Sequence, residues 1–193
     1  MLGTMIRRML HPIRRAARRF VMLSDEPTYT GEHGCLYTAA SFVAWNQIEG
    51  DYLEFGVYQG SSFATAYGAV HAQRRLHSSY MEKSGEIQGE KQPPPRFFAF
   101  DSFSGLPEGL GARHADYAPG AYACSQDGFT QNITGLGVDL KDVVIVPGFY
   151  DKTLEDATKE KYGLRRAAIV MIDCDLYEST VPVLEFLTDI VDQ

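Results

Sequence analysis

Short apolar runs alternate with amphipathic stretches along most of this chain, and that alternation limits the fold more than any other feature. Asp51–Gly56, Arg96–Phe100, Val143–Val146 and Ala168–Ile172 have the length and apolar character of buried strands. Leu36–Ile48, Ser61–Ala72, Thr153–Tyr162 and a last segment carrying Val181, Leu184, Leu187, Ile190 and Val191 have the i, i+3, i+4 spacing of helices. Such βαβ units predict an α/β fold of Rossmann-like type, a mostly parallel sheet with helices on both faces. Residues 74–95 are polar, with Gly85, Gly89 and three consecutive prolines, and read as an exposed loop. Ser102–Asp127 is rich in Gly, Pro and aromatics and reads as a loop lining a pocket, to which residues up to 132 contribute.

Charge divides the chain into two regions. No acidic residue precedes Asp25, whereas Arg7, Arg8, Arg14, Arg15, Arg18 and Arg19 supply six of the 18 basic residues. On a helical projection these arginines share one arc, opposite Ile6, Met9, Leu10, Ile13, Ala17 and Phe20. Residues 1–33 are thus expected to be a basic amphipathic helix and linker, and 34–193 the folded domain. Residues 5–22 could touch a membrane surface or an acidic partner, or serve as a mitochondrial-type presequence, or dock on the domain with their arginines solvated. The net charge of −7 argues against a nucleic-acid binder, and no apolar run is long enough to span a bilayer. Cys35, Cys124 and Cys174 lack the spacing of a zinc or redox motif and read as reduced thiols of a cytoplasmic protein. On the same ground the sequon at Asn132 is set aside.

In doubly wound sheets, ligands bind beyond the carboxyl ends of the strands, where strand order reverses. The residues following each strand are therefore the candidate site. Glu54-Phe55-Gly56-Val57-Tyr58-Gln59-Gly60-Ser61-Ser62 follows the first strand: its glycines permit a sharp turn, and the next helix begins with free N–H groups. It matches neither the phosphate-binding loop, which needs a lysine, nor the GxGxxG fingerprint. Asp101-Ser102 follows the second strand, where a carboxylate can accept from ribose hydroxyls or, equally, organise a turn. Gly148-Phe149-Tyr150 follows the third and offers an aromatic to an adenine ring or to the core. Asp173-Cys174-Asp175 follows the fourth, with two hard ligands for a cation such as Mg²⁺, or a cap for the last helix.

Together, Glu54–Ser61, Phe100-Asp101-Ser102-Phe103-Ser104-Gly105-Leu106-Pro107, Val146-Pro147-Gly148-Phe149 with Thr153-Leu154, and Asp173–Ser179 resemble the macrocin O-methyltransferase (TylF/MycF) family. The resemblance runs from about Leu36 to the last residue, in the family's order. It implies a class I S-adenosylmethionine-dependent methyltransferase that methylates a hydroxyl of a sugar or glycosylated natural product with Mg²⁺. It also implies roles: Glu54, Gly56 and Gly60 in the cofactor turn, Tyr58 and Ser61 beside the methionine part, Asp101 on the ribose, Ser102 and Phe149 near the adenosine. Asp173 would bind the metal with Asp175 and help deprotonate the acceptor. Family members continue past the last helix with a strand ending in an Asp-Asp pair and two more strands. The expectation from Val191-Asp192-Gln193 is therefore a sheet lacking its C-terminal strands, with an open edge suited to pairing with a second copy. Two other readings stay open: a nucleotide-sugar glycosyltransferase using Asp173-x-Asp175, and a non-catalytic fragment that only binds.

Overall fold

In a computed structural model, residues 34–85, 93–108 and 117–191 are described. The basic segment at residues 5–22 lies outside them. β1 (Asp51–Phe55), β2 (Phe97–Asp101), β3 (Val143–Pro147) and β4 (Ala167–Ile172) form one all-parallel sheet in the order β3-β2-β1-β4. Helices cover both faces, as the alternation of elements requires.

Side chains alternate across each strand, so one face takes Tyr52, Phe97 and Ala99 and the other Leu53, Phe55, Phe98 and Phe100. The first face packs against α1 (Gly34–Trp45), α2 (Ser61–Ser84) and α3 (Gln126–Gly135), through Leu36, Phe63 and Phe129. The second packs against α5 (Asp156–Tyr162) through Tyr162, against Leu164 just after it, and against α6 (Tyr177–Leu187) through Val183 and Phe186; the single-turn α4 (Tyr150–Thr153) precedes α5. Phe55 and Phe100 stack at 4.5 Å in the middle of that layer. Burying one such ring contributes roughly 1.5–3 kcal/mol, so the phenylalanines of β1 and β2 dominate the core.

Three helices differ from the sequence reading. α2 continues through the stretch read as loop and stops only at Gly85, whose left-handed φ of 71° caps it. No Gly or Pro interrupts residues 74–84, and Trp45 of α1 packs its ring against His77 at 5.4 Å and Tyr80 at 5.3 Å, which supports the added turns. α3 lies where no helix was expected. Ser125 caps it by accepting from the Gly128 N–H at 3.1 Å, and Phe129 and Ile133, one turn apart, supply its buried face. The single helix expected over Thr153–Tyr162 is two, because Leu154 and Glu155 leave helical geometry between α4 and α5. Among the described residues no helix is long and apolar enough to cross a membrane.

Candidate functional site

Strand order reverses between β1 and β4. The chain runs from β1 outward through β2 and β3, then returns to place β4 on the other side of β1. Backbone bonds hold the carboxyl ends together at this point: the Asp173 N–H donates to the Phe55 carbonyl at 2.9 Å, Gly56 to Phe100 at 2.9 Å, and Gly148 to Asp101 at 2.9 Å. Gly56 has a φ of 89°, and a Cβ there would stand 2.4 Å from the Asp173 carbonyl oxygen. The turn after β1 can approach the end of β4 this closely only because residue 56 lacks a side chain.

A cleft of about 650 Å³ opens above these ends. Of the residues singled out in the sequence, Gly56, Tyr58, Asp101 and Ser102 line it, as do Phe149, Asp173 and Asp175. Glu54, Gly60 and Ser61 are not among its walls. Gly60, with φ 84°, instead packs under α3, where a Cβ would meet Ile133 Cγ2 at 2.4 Å, and Ser61 opens α2 at the surface.

Glu54 is fully buried between β1 and α2. Strand alternation points it to the α2 face beside Tyr52, where Ser62 Oγ donates to its Oε1 at 2.5 Å and the Tyr52 hydroxyl donates to its Oε2. Burial pushes its carboxyl up to about 7; the Ser62 and Tyr52 bonds pull the other way, and the Asp173 and Asp101 charges add to the rise. The folded state thus holds this proton more tightly than the unfolded chain. Its stabilising effect is complete below about pH 4.5, declines as pH rises toward about 7 and is absent above that. The loss across that window amounts to about 3 kcal/mol at 1.36 kcal/mol per unit. Thermal melts from pH 4.5 to 8 should therefore show a fall in stability that Glu54→Gln flattens; parallel profiles for the two proteins would remove this account.

Asp101 is committed to the backbone. Its Oδ2 accepts from the N–H groups of Val57 at 2.9 Å and Tyr58 at 3.2 Å, and its Oδ1 from Phe103 at 2.7 Å. Ser102 is also occupied, donating to the Gly105 carbonyl at 2.7 Å and accepting from the Ser104 N–H at 3.1 Å. Asp173 and Asp175 are exposed at the end of β4. Partial burial and then the Asp173 charge raise the Asp175 carboxyl above its usual range. Among the described residues no third His, Cys, Asp or Glu joins this pair in a group that could hold a metal ion. Cys174, between them, has its thiol pushed up to about 11, chiefly by burial, and is a small packed thiol and a poor nucleophile at neutral pH.

Other cleft residues carry weaker sequence signals. Tyr122 meets the Tyr58 ring edge-on at 5.9 Å, and both have left-handed backbones, at φ 58° and 43°. Glu178 and Pro182 enter from α6, where Pro182 removes the N–H that would bond the Glu178 carbonyl. Asp101, Glu108, Asp151, Asp173, Asp175 and Glu178 make the lining strongly acidic. No Lys, Arg or His contributes to it among the described residues.

A family model described as Macrocin-O-methyltransferase (TylF) matches residues 32–193. Among solved structures, the chain is similar to the O-methyltransferase NovP, with 22% identity and a TM-score of 0.62 over 81% of this chain and 59% of that one. It is also similar to the calicheamicin methyltransferase CalS11, with 20% identity and a TM-score of 0.60 over 93% of this chain and 74% of that one. An apo structure of CalS11, described as a TDP-rhamnose 3'-O-methyltransferase, aligns with 21% identity and a TM-score of 0.50 over the same shares. The fold is that of these class I methyltransferases, and the chain spans 59% of the length of NovP. No curated protein matches it in sequence.

Proposed function

The chain belongs to the macrocin-O-methyltransferase (TylF) family, and from that premise we propose that it transfers a methyl group from S-adenosylmethionine to a hydroxyl of a sugar or glycosylated natural product, assisted by Mg²⁺. The observation that carries this reading is the cleft at the β1/β4 reversal, roomy enough for a nucleoside-sized ligand and lined by carboxylates with no Lys, Arg or His among its described lining residues. Such a lining favours a cation. S-adenosylmethionine supplies an activated methyl group on a positively charged sulfur.

Each residue then has a physical task. The Gly56 turn admits the ligand close to the backbone, and Phe149 offers a half-exposed ring to the adenine. Tyr58 and Tyr122 form an aromatic edge to the cleft, placed to exclude water from the methionine end. Asp173 receives the acceptor's proton and, with Asp175, would hold Mg²⁺, an ion commonly bound by one or two carboxylates with water completing its shell. The metal would lower the pKa of a sugar hydroxyl that is otherwise a poor nucleophile. What remains is alignment of oxygen, carbon and sulfur, a task of orientation.

Transfer of label from S-adenosylmethionine to a panel of sugar-bearing acceptors, with and without chelator, tests the reading. Transfer that chelation stops is the expected result. Metal-independent transfer would remove Mg²⁺ from the mechanism. Calorimetric binding of a UDP-sugar in place of S-adenosylmethionine would favour a glycosyltransferase, although the acidic lining offers a diphosphate no described cation.

A further inference from the structure

We propose that the basic amphipathic segment at residues 5–22 docks its apolar stripe on an aromatic patch that α1 and α2 leave uncovered, with its arginines turned to water. α1 buries Leu36, Ala40 and Ala44 along one side. Its other side carries Phe42 and Trp45, one turn apart and 61% and 44% exposed. Tyr80 of α2, 52% exposed, meets the Trp45 ring at 5.3 Å, so the three rings adjoin where scattered apolar residues would be ordinary. The stretch 34–48 contains no Asp, Glu, Lys or Arg, so α1 has no charged side to present to water, the pattern of a helix that is covered all round. The patch is also preformed: Trp45 Nε1 donates to Gln73 Oε1 at 3.4 Å, and His77 meets the indole edge-on at 5.4 Å.

Size, reach and charge select the chain's own N-terminal segment as the occupant. An aromatic side chain buries about 150–250 Å², so at these exposures the three rings offer roughly 300 Å². A stable contact between separate proteins needs about 800 Å² on each side. A tethered segment needs less, because a short linker holds it at an effective concentration in the millimolar range. The linker at residues 23–33 can extend about 36–40 Å, whereas α1 is about 18 Å long, so all of the patch lies within reach of a segment joined to Gly34. The segment's stripe of Ile6, Met9, Leu10, Ile13, Ala17 and Phe20 supplies the apolar partner that Phe42, Trp45 and Tyr80 lack. Its arginines then stay on the surface of a protein whose remaining residues carry 12 basic against 25 acidic groups, a field that draws the segment in. None of this depends on what fills the cleft.

Trp45 is the chain's one tryptophan, so its fluorescence reports directly on whether the patch is covered. The full chain is compared with Ile13→Asp/Phe20→Asp, which puts two carboxylates into the stripe. Docking makes the parent's emission blue-shifted and poorly quenched by acrylamide; the variant should shift to the red and be quenched several-fold more strongly. Arg14→Gln/Arg18→Gln, on the opposite arc, should behave as the parent does. Identical emission and quenching in the parent and the Asp variant overturn the proposal. If that variant fails to fold, the neutral Ile13→Ser/Phe20→Ser replaces it and must show the same red shift, or the docking is rejected. A blue shift that grows with protein concentration, accompanies a dimer mass in sedimentation and survives the Asp variant gives the patch to a second copy and overturns the proposal. So does a parent whose Trp45 is water-exposed alone and shifts only when anionic phospholipid vesicles are added, which gives the stripe to a membrane surface.

Discussion

Gly56→Ala is expected to destabilise the protein and to abolish cofactor binding. A non-glycine residue in left-handed geometry costs roughly 1–2 kcal/mol. Forcing a Cβ into a packed site costs about 1–3 kcal/mol more. At Gly56 the obstacle is the Asp173 carbonyl, 2.4 Å from the new atom, and the bond from the Asp173 N–H to Phe55 keeps this end of β4 against the turn. A total near 3 kcal/mol corresponds to a fall of roughly 6–12 °C in melting temperature for a chain of this size. Relief of the clash would push the turn from the end of β4, so S-adenosylhomocysteine binding should vanish in calorimetry even below the melting point. Gly85→Ala is the control: its φ of 71° imposes the strain, but none of the described residues lies within 4 Å of the added atom. It should cost about 1–2 kcal/mol and leave ligand binding intact. Equal effects at the two positions would show that the approach of β1 to β4 does not matter to the site.

Asp173→Asn is expected to reduce kcat by about 10²–10⁴-fold, the range typical of a lost proton acceptor. Affinity for S-adenosylhomocysteine should be retained. The amide has the size of the carboxylate and leaves the backbone bond to Phe55 in place, but it neither takes a proton nor attracts a cation. Asp151 lines the same cleft, so Asp151→Asn serves as a control for simple loss of charge. Its carboxylate meets the Lys152 ammonium at 3.0 Å on the exposed rim, a pair that contributes little. Steady-state kinetics on both variants, with calorimetry alongside, gives the comparison. Similar losses from the two would make the effect electrostatic in general and deny Asp173 a role in proton transfer.

Local pattern was enough to find the strands, and all four fall within a residue or so of their expected bounds. Phe97-Phe98-Ala99-Phe100 can be buried on both faces only in the middle of a sheet, so its sequence and its place agree. Helices whose support is distant were harder to read. Residues 74–84 look like a polar loop until Trp45, on another helix, is seen against His77 and Tyr80. The site divides in the same way. Proximity to a strand's carboxyl end was legible, and Gly56, Tyr58, Asp101, Phe149 and Asp173 do converge on one cleft. Which way a side chain is committed was not legible: Glu54 faces α2 because of strand parity, and Asp101 spends its oxygens on backbone amides that only tertiary structure brings near. Tyr122 reaches Tyr58 from a loop without periodicity, which leaves no mark in the sequence.

The position of β1 between β2 and β4 also sets the order in which the molecule can assemble. Cys174 meets the Phe55 carbonyl from 119 positions away, so the wall of the cleft formed by β4 arrives only long after β1 has been synthesised. Contacts this distant in sequence make a fold slow to form, because chain entropy is lost well before the pairing offsets it. Until β4 docks, the turn at Gly56 and the loop at Asp101 face water with one strand edge of β1 unpaired, a state open to association with other chains. A ligand of the completed cleft has nothing to bind in that intermediate. It would act instead as a latch on the finished protein, slowing unfolding in proportion to its occupancy without hastening the search that builds the sheet.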